Sequence, residues 1–410
     1  MISRTTLLRA AAVLGAALIA ASGCTRPGDP IAAVPDRSAF DIGGNDIRPP
    51  TPPAGNEKYG RILESVRMGE AIIDPAEVDA TLSKGVAKRT GPVPSPLKAV
   101  GVLAGPVRKV LESHSMLAGY TITGSEVEID ELAVGSVRLL TVLLLRFPDA
   151  EQARLAARQL DATDAAMSTD NVAARFADYP GAYGHWRPSA PTMAGTVAHD
   201  SFVITVLAEH TAPDQAVLTG LIRKAFDLQI PRLRAFAPTP PQRLAELPLD
   251  EDGMLARLLP HGPGVWPVPT VIVPDTDDLA GWSTTITPSG VVFGPRATQL
   301  MKNYDLDPAV ERLATNGYNY LERYPDAVAA RRGFGRDMRK AQESPGKTAT
   351  APKGVPDAYC AAYDIETPAW PVQFHCHVLF ERYSATSVGR NLTEAQQRAA
   401  AQYLLLVNGV

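Results

Sequence analysis

The stretch "RFPDAEQAR", residues 146–154, recurs 177 positions later as "RYPDAVAAR", residues 323–331. In both copies a strand-like apolar run leads into Pro-Asp and then into an alanine-rich segment. Its apolar positions are Ala153, Ala157 and Leu160 in the first copy, and Ala330, Phe334 and Met338 in the second. Steps of three and four residues put these on one side of a helix. Asp149 and Asp326 stand where a carboxylate caps a helix N-terminus, a structural role rather than a catalytic one. Recurrence at a fixed offset is the signature of a duplicated unit.

The flanks keep the same order. "LAGYTITGS" from Leu117 resembles "LAGWSTTITPSG" from Leu279 upstream of the two copies. Downstream, "VAHDSFVITVLAEH" precedes "TAPDQAVLTGLIRKAF", and "VQFHCHVLFERY" precedes "LTEAQQRAAAQYLLL". Thr211 with Asp214, and Thr393 with Gln396, have the spacing of capping boxes. Each half reads strand, helix, strand, strand, helix. The expected class is α+β: two related ferredoxin-like units, each an antiparallel sheet with helices on one face, after a signal peptide and a Pro/Gly-rich tether. A cavity between two such units would be a natural ligand pocket.

The N-terminus sets the compartment. Arg4 and Arg9 precede an apolar run over residues 10–22, too short to span a bilayer, and Ala21, Ser22 and Gly23 stand directly before Cys24. This is the arrangement of a lipoprotein signal over residues 1–23, with Cys24 acylated as the new N-terminus. Several acyl chains on one residue suffice for stable anchoring. The expected location is therefore the cell membrane, lipid-anchored on its extracytoplasmic face. The chain then divides into a flexible tether (24–57), an N-terminal α+β domain (58–236), a proline-rich and then acidic linker (237–253) and a C-terminal α+β domain (254–410). With Cys24 committed to lipid, Cys360 and Cys376 are left to pair in an oxidising compartment. The matching positions of the first repeat, Gly184 and about Ser201, hold no cysteine, so the bridge is an addition to the second copy.

The lipobox, the segment "FDIGGNDIRPPTPP" from Phe40, the segment "GRILESVRMGEAIIDPAEVDATL" from Gly60 and the two-half layout together resemble a family of actinobacterial lipoproteins. That family consists of a domain of unknown function with a distinct C-terminal partner domain. The resemblance covers most of residues 20–410 and implies export, a lipid anchor and two domains; it supplies no mechanism. "GGND" stands where such proteins often have a Gly-Asn/Ser-Tyr turn, a departure confined to the tether.

The formal charge is −4, and losing Arg4 and Arg9 with the signal takes it to −6. No basic patch of nucleic-acid type is present, so nucleic acid is not an expected partner. The sequence has no zinc-protease helix, nucleophile elbow or P-loop. "GFGRDM" from Gly333 falls inside the repeated helix, and neighbours in "HDS" from His199 point to opposite faces of a strand. No catalytic residue and no cofactor is assigned. In "VQFHCHVLFERY", Phe374, Cys376, Val378 and Phe380 would share one strand face, and His375, His377, Leu379 and Glu381 the other. The cysteine side suits a core-facing disulfide. His375, His377 and Glu381 are the candidate metal set, weighed against histidines on a solvated or helix-covered face, the reading preferred. Tyr183, Trp186, Tyr363 and Trp370 are the candidates for lining a ligand site, with ordinary hairpin packing as the alternative. The expected function is a non-enzymatic binding or accessory lipoprotein of the cell envelope, partnering an apolar small molecule, a lipid or an envelope protein. The alternatives are a structural interaction module and a haem- or metal-binding protein or enzyme.

Overall fold

Two eight-residue runs, "AGYTITGS" and "LLTVLLLR", are buried at every position, so the sheet they form needs cover on both faces. The computed structural model describes residues 37–409 except 87–88, 129–132, 273–286, 302–305, 318, 344–346 and 365–371. Residues 1–23, expected as a signal, Cys24 and Trp370 lie outside the described residues. In the N-terminal half the main elements are α1 (Glu57–Met68), β1 (Ala118–Ser125), β2 (Leu139–Arg146), α2 (Ala150–Ala165), β3 (Tyr183–Trp186), β4 (Thr192–His199), β5 (Phe202–Glu209) and α3 (Gln215–Leu233). Their strands run β1-β2-β5-β4-β3, all antiparallel, with short strands at the edges.

The C-terminal half contributes β6 (Val291–Phe293), β7 (Arg312–Thr315), β8 (Tyr320–Arg323), α4 (Ala327–Glu343), β9 (Ala358–Asp364), β10 (Val372–Phe380), β11 (Tyr383–Gly389) and α5 (Leu392–Asn408). Here the order is β6-β7-β8-β11-β10-β9. The strand order β7-β8-β11-β10-β9 matches that of the first sheet. The registers also coincide. Leu143, Thr205, Thr196 and Tyr183 lie side by side across the first sheet, as Tyr320, Thr386, His377 and Tyr359 do across the second.

The expectation of helices on one face is corrected. On the first sheet, His185 lies opposite Ala194 and bonds Asp161 of α2, whereas Gly195, on the other face, lies against Ile222 of α3. On the second, Phe334 of α4 meets Tyr359 on the histidine face, and Tyr403 of α5 meets Phe380 on the cysteine face. Each sheet is thus sandwiched between two helices, unlike a ferredoxin-like unit. Between the repeated helix and the last hairpin each half has a strand that the expected pattern lacks, β3 or β9, and more than one strand precedes that helix. The physical reason is the two-sided burial of the central strands.

The caps of the repeated helices are as read: Asp149 accepts the Gln152 amide at 2.8 Å and Asp326 that of Ala329 at 2.7 Å. The caps of α3 and α5 are not Thr211 and Thr393 but Asp214 and Asn391. Their side-chain oxygens accept the Ala216 and Val217 amides and the Glu394 amide respectively. Asp and Asn match or exceed Thr as N-caps.

One core runs through both halves, from Ile72, Tyr120 and Phe226 to Phe293, Leu313 and Val378. Polar contacts tie the halves together. Glu70 accepts the amides of Arg296 and Ala297 at 3.1 and 2.9 Å, and Glu77 pairs with Arg296 at 2.5 Å. Within the stretch expected as tether, the chain from Ser38 onward belongs to this compact unit. Phe40 packs on Tyr403 and Ile47 on Leu259 and Leu404.

Cys360 and Cys376 are direct cross-strand neighbours on β9 and β10, joined by a disulfide and buried on the α5 side. Their register counterparts in the first sheet are Gly184 and Gly195, the second of which replaces the expected position near Ser201. The bridge spans 16 residues. Replacing both cysteines by serine is expected to cost about 3 kcal/mol, read as a lower denaturation midpoint. An unaltered midpoint would contradict this.

Candidate functional site

The site is built on α1, "EKYGRILESVRM". Asn56 caps the helix by accepting the Tyr59 amide at 2.9 Å. Leu63 and Val66, three residues apart, share its inner face and are 9% and 3% exposed. A Cβ at Gly60 would overlap the Leu244 carbonyl oxygen, so glycine lets the chain after α3 lie directly on the helix. That chain, the proline-rich segment expected as an interdomain linker, is docked: it forms a 3-10 turn over Pro241–Glu246 and buries Leu244. Between α1, this connector and Val292 of β6 lies a cavity of 480 Å³. Leu63 and Val66, then Pro238, Leu247 and Leu249, and Val292 supply its aliphatic lining, and Arg67, Thr239, Arg243, Glu246 and Glu251 its polar lining. Small-molecule sites run from about 300 to 1,000 Å³ and favour junctions between domains.

Beneath the cavity is a buried ionic cluster. Glu64 is fully buried and accepts four hydrogen bonds: Arg146 Nη1 at 2.5 Å, Arg67 Nη1 at 2.5 Å, the Thr239 amide at 3.0 Å and the Thr239 hydroxyl at 2.8 Å. Arg146, 3% exposed, also donates to the Thr239 carbonyl. Arg67 donates to the Ala237 carbonyl at 3.1 Å and lies over the Phe236 ring, 5.4 Å from its centre. Burial pulls the Arg146 guanidinium below its ordinary pKa, and the neighbouring Glu64 acts against that pull. A buried carboxylate satisfied by four donors makes a specific clamp on Thr239. The other end of the connector is held in the same fashion: Arg323 and Arg312 each reach Asp252 at 3.0 Å. Arg146 and Arg323 are the arginines that open the repeated motif.

Of the aromatic residues expected to line a site, the described ones, Tyr183, Trp186 and Tyr363, do not line one cavity. Trp186 lines a separate cavity of 350 Å³ with His185, Asp164 and Glu209. His185 there sits 2.9 Å from Asp161 and 3.7 Å from Asp164, and burial raises the carboxyls of Asp164 and Glu209. Tyr183 packs against the core from β3. Tyr363 lies on the second sheet, its ring 4.6 Å from that of His375.

His375 and His377 face α4, opposite in sense to the disulfide. His377 stacks on Tyr359 at 4.4 Å and shares a 2.9 Å hydrogen bond with Thr386 through Nδ1. The Nε2 atoms of both histidines are buried without a hydrogen-bond partner among the described residues. Burial pushes His375 down to about 4 and, with the charge of His375 adding to it, His377 down to about 3. On the same face the Tyr324 hydroxyl donates to Glu322 at 3.1 Å, and burial, reinforced by Asp337, raises the Glu322 carboxyl to about 7. Glu381 is exposed in the β10–β11 turn with φ of 49° and does not join them. Among the described residues no group of three or more His, Cys, Asp or Glu is placed to hold a metal.

Glu64, Arg67, Thr239 and the role of Arg146 are what residue patterns missed. The one available signal was the arginine kept at the head of both repeat copies.

No curated protein matches the chain. Among solved structures, the extracellular domain of PknH from Mycobacterium tuberculosis is similar at 12% identity and a TM-score of 0.26, over 40% of this chain and 96% of that one. Family models give a fuller answer. The N-terminal model of the domain of unknown function DUF7373 matches residues 51–249 and its C-terminal model residues 254–409, so the chain belongs to the DUF7373 family.

Proposed function

We propose that the protein is a lipoprotein of the cell envelope, anchored through Cys24 on the extracytoplasmic face, which binds an apolar small molecule or lipid in the junction cavity. The observation that carries this reading is the 480 Å³ cavity itself, which brings aliphatic side chains of α1, the connector and β6 together. A non-enzymatic role is supported by its lining, where the Thr239 hydroxyl is committed to Glu64. The Cys24 signal and the resemblance to envelope lipoproteins support the location. In this reading residues 58–236 and 254–410 descend from one duplicated unit, the second copy having gained its disulfide, and the 237–253 linker has become a cavity wall.

Native mass spectrometry of the full-length protein, purified in detergent from its own host, tests the proposal. A single apolar adduct per chain is expected. Val292→Trp, which fills the cavity from an edge strand, is expected to lose that adduct while keeping the far-UV spectrum. A wild-type protein without adduct, or an adduct retained by the variant, would overturn it.

A further inference from the structure

We infer that the ligand of the junction cavity carries one acidic headgroup, a carboxylate or phosphate, and that Arg67 receives it. This rests on the binding role proposed above. The charges around the cavity show why. Arg243 in the lining is paired with Glu246 at 2.7 Å, and Glu251 with Arg312 at 3.6 Å. What remains is Glu64 between Arg67 and Arg146: one carboxylate against two guanidiniums, leaving one positive charge in excess.

Arg146 is sealed in the core, and its Nε has no hydrogen-bond partner among the described residues. Arg67 is the member of the cluster that lines the cavity, with 38% of its side chain exposed. A guanidinium has five N–H donors. Those of Arg67 serve Glu64 and Thr239 through Nη1 and Ala237 through Nη2, so Nε–H and one Nη2–H have no acceptor among the described residues. Two such donors on one planar group suit a carboxylate or phosphate.

An apolar molecule filling the cavity would strip water from this excess charge, which is costly unless the molecule brings an anion. A neutral apolar ligand would leave that cost unmet. An amphiphile with an acidic head on Arg67 and its tail against Leu63, Val66 and Val292 satisfies both halves of the site.

The test is calorimetric titration of the full-length protein, delipidated in detergent, with decanoate, decyl phosphate and decanol. Decanoate, decyl phosphate or both are expected to bind at least about tenfold more tightly than decanol, the value of a hydrogen-bonded ion. The tighter of the two identifies the headgroup. Arg67→Gln should bring acid and alcohol to within about twofold of each other, the acids losing their ion pair and decanol no longer stripping water from an excess charge, and Arg67→Lys should keep part of the preference. Equal binding of acids and alcohol by the wild type would overturn the headgroup inference and leave the cavity reading standing. Failure of all three to bind would overturn the cavity reading itself.

Discussion

Replacing Glu64 by leucine is expected to lower the protein's stability by about 3–5 kcal/mol, the usual result of removing one partner from a buried ion pair. The carboxylate is fully buried and Arg146 is 3% exposed, so the substitution leaves an uncompensated guanidinium in the core. It also frees the Thr239 amide and hydroxyl and with them the connector. Removing both charges, in Glu64→Leu with Arg146→Leu, should cost less than the two single changes added together, because neither charge is then stranded. Urea titrations of the four proteins measure this directly. Additive single effects, or a loss under 1 kcal/mol for Glu64→Leu, would show that the cluster is not a coupled clamp.

The C-terminal half is expected to loosen as the solution is acidified from about pH 6.5 to 4. His375 and His377 are held near 4 and 3 by burial, against an ordinary value of 6.5. The unfolded chain therefore takes up protons that the folded chain refuses. Their contribution is intact above 6.5 and is lost as pH falls toward the folded values. Glu322 works in the opposite sense: its carboxyl is raised to about 7, so stability falls as pH rises from 4.5 through 7. Two imidazoles against one carboxyl place the maximum close to neutrality. The acid loss should be on the order of 2 kcal/mol, allowing for partial exposure of the rings. Melting temperatures across this range give the profile. His375→Phe with His377→Phe should flatten its acid arm, and an unchanged arm would assign the acid sensitivity elsewhere.

What was legible in the sequence was local. The Pro-Asp start and alanine stripe of α2 and α4 announce themselves within a dozen residues, and strand alternation in "VQFHCHVLF" separates cysteine from histidine correctly. The placement of helices on both faces was not legible. β1 and β2 are buried on both sides, and such strands carry no alternation to say which face a helix will take. Glu64 and Arg67, three apart on a helix, have the spacing of a solvated surface pair. The burial of Glu64 is decided by Arg146, 82 positions away in sequence, and by Thr239 beyond it. The connector misled for a related reason. Its prolines suit a flexible linker, yet Leu244, Leu247 and Leu249 bring it down onto α1 and the core. Glu381 followed the strand pattern in sequence but falls in the hairpin turn, where the pattern ends.

A crystal structure of the protein as purified from its own host tests the central claim most directly. The account predicts one elongated molecule in the junction cavity, its tail against Leu63, Val66 and Val292 and an acidic group at Arg67. Solvent alone in that cavity, with a bound molecule seated elsewhere or nowhere, would contradict it.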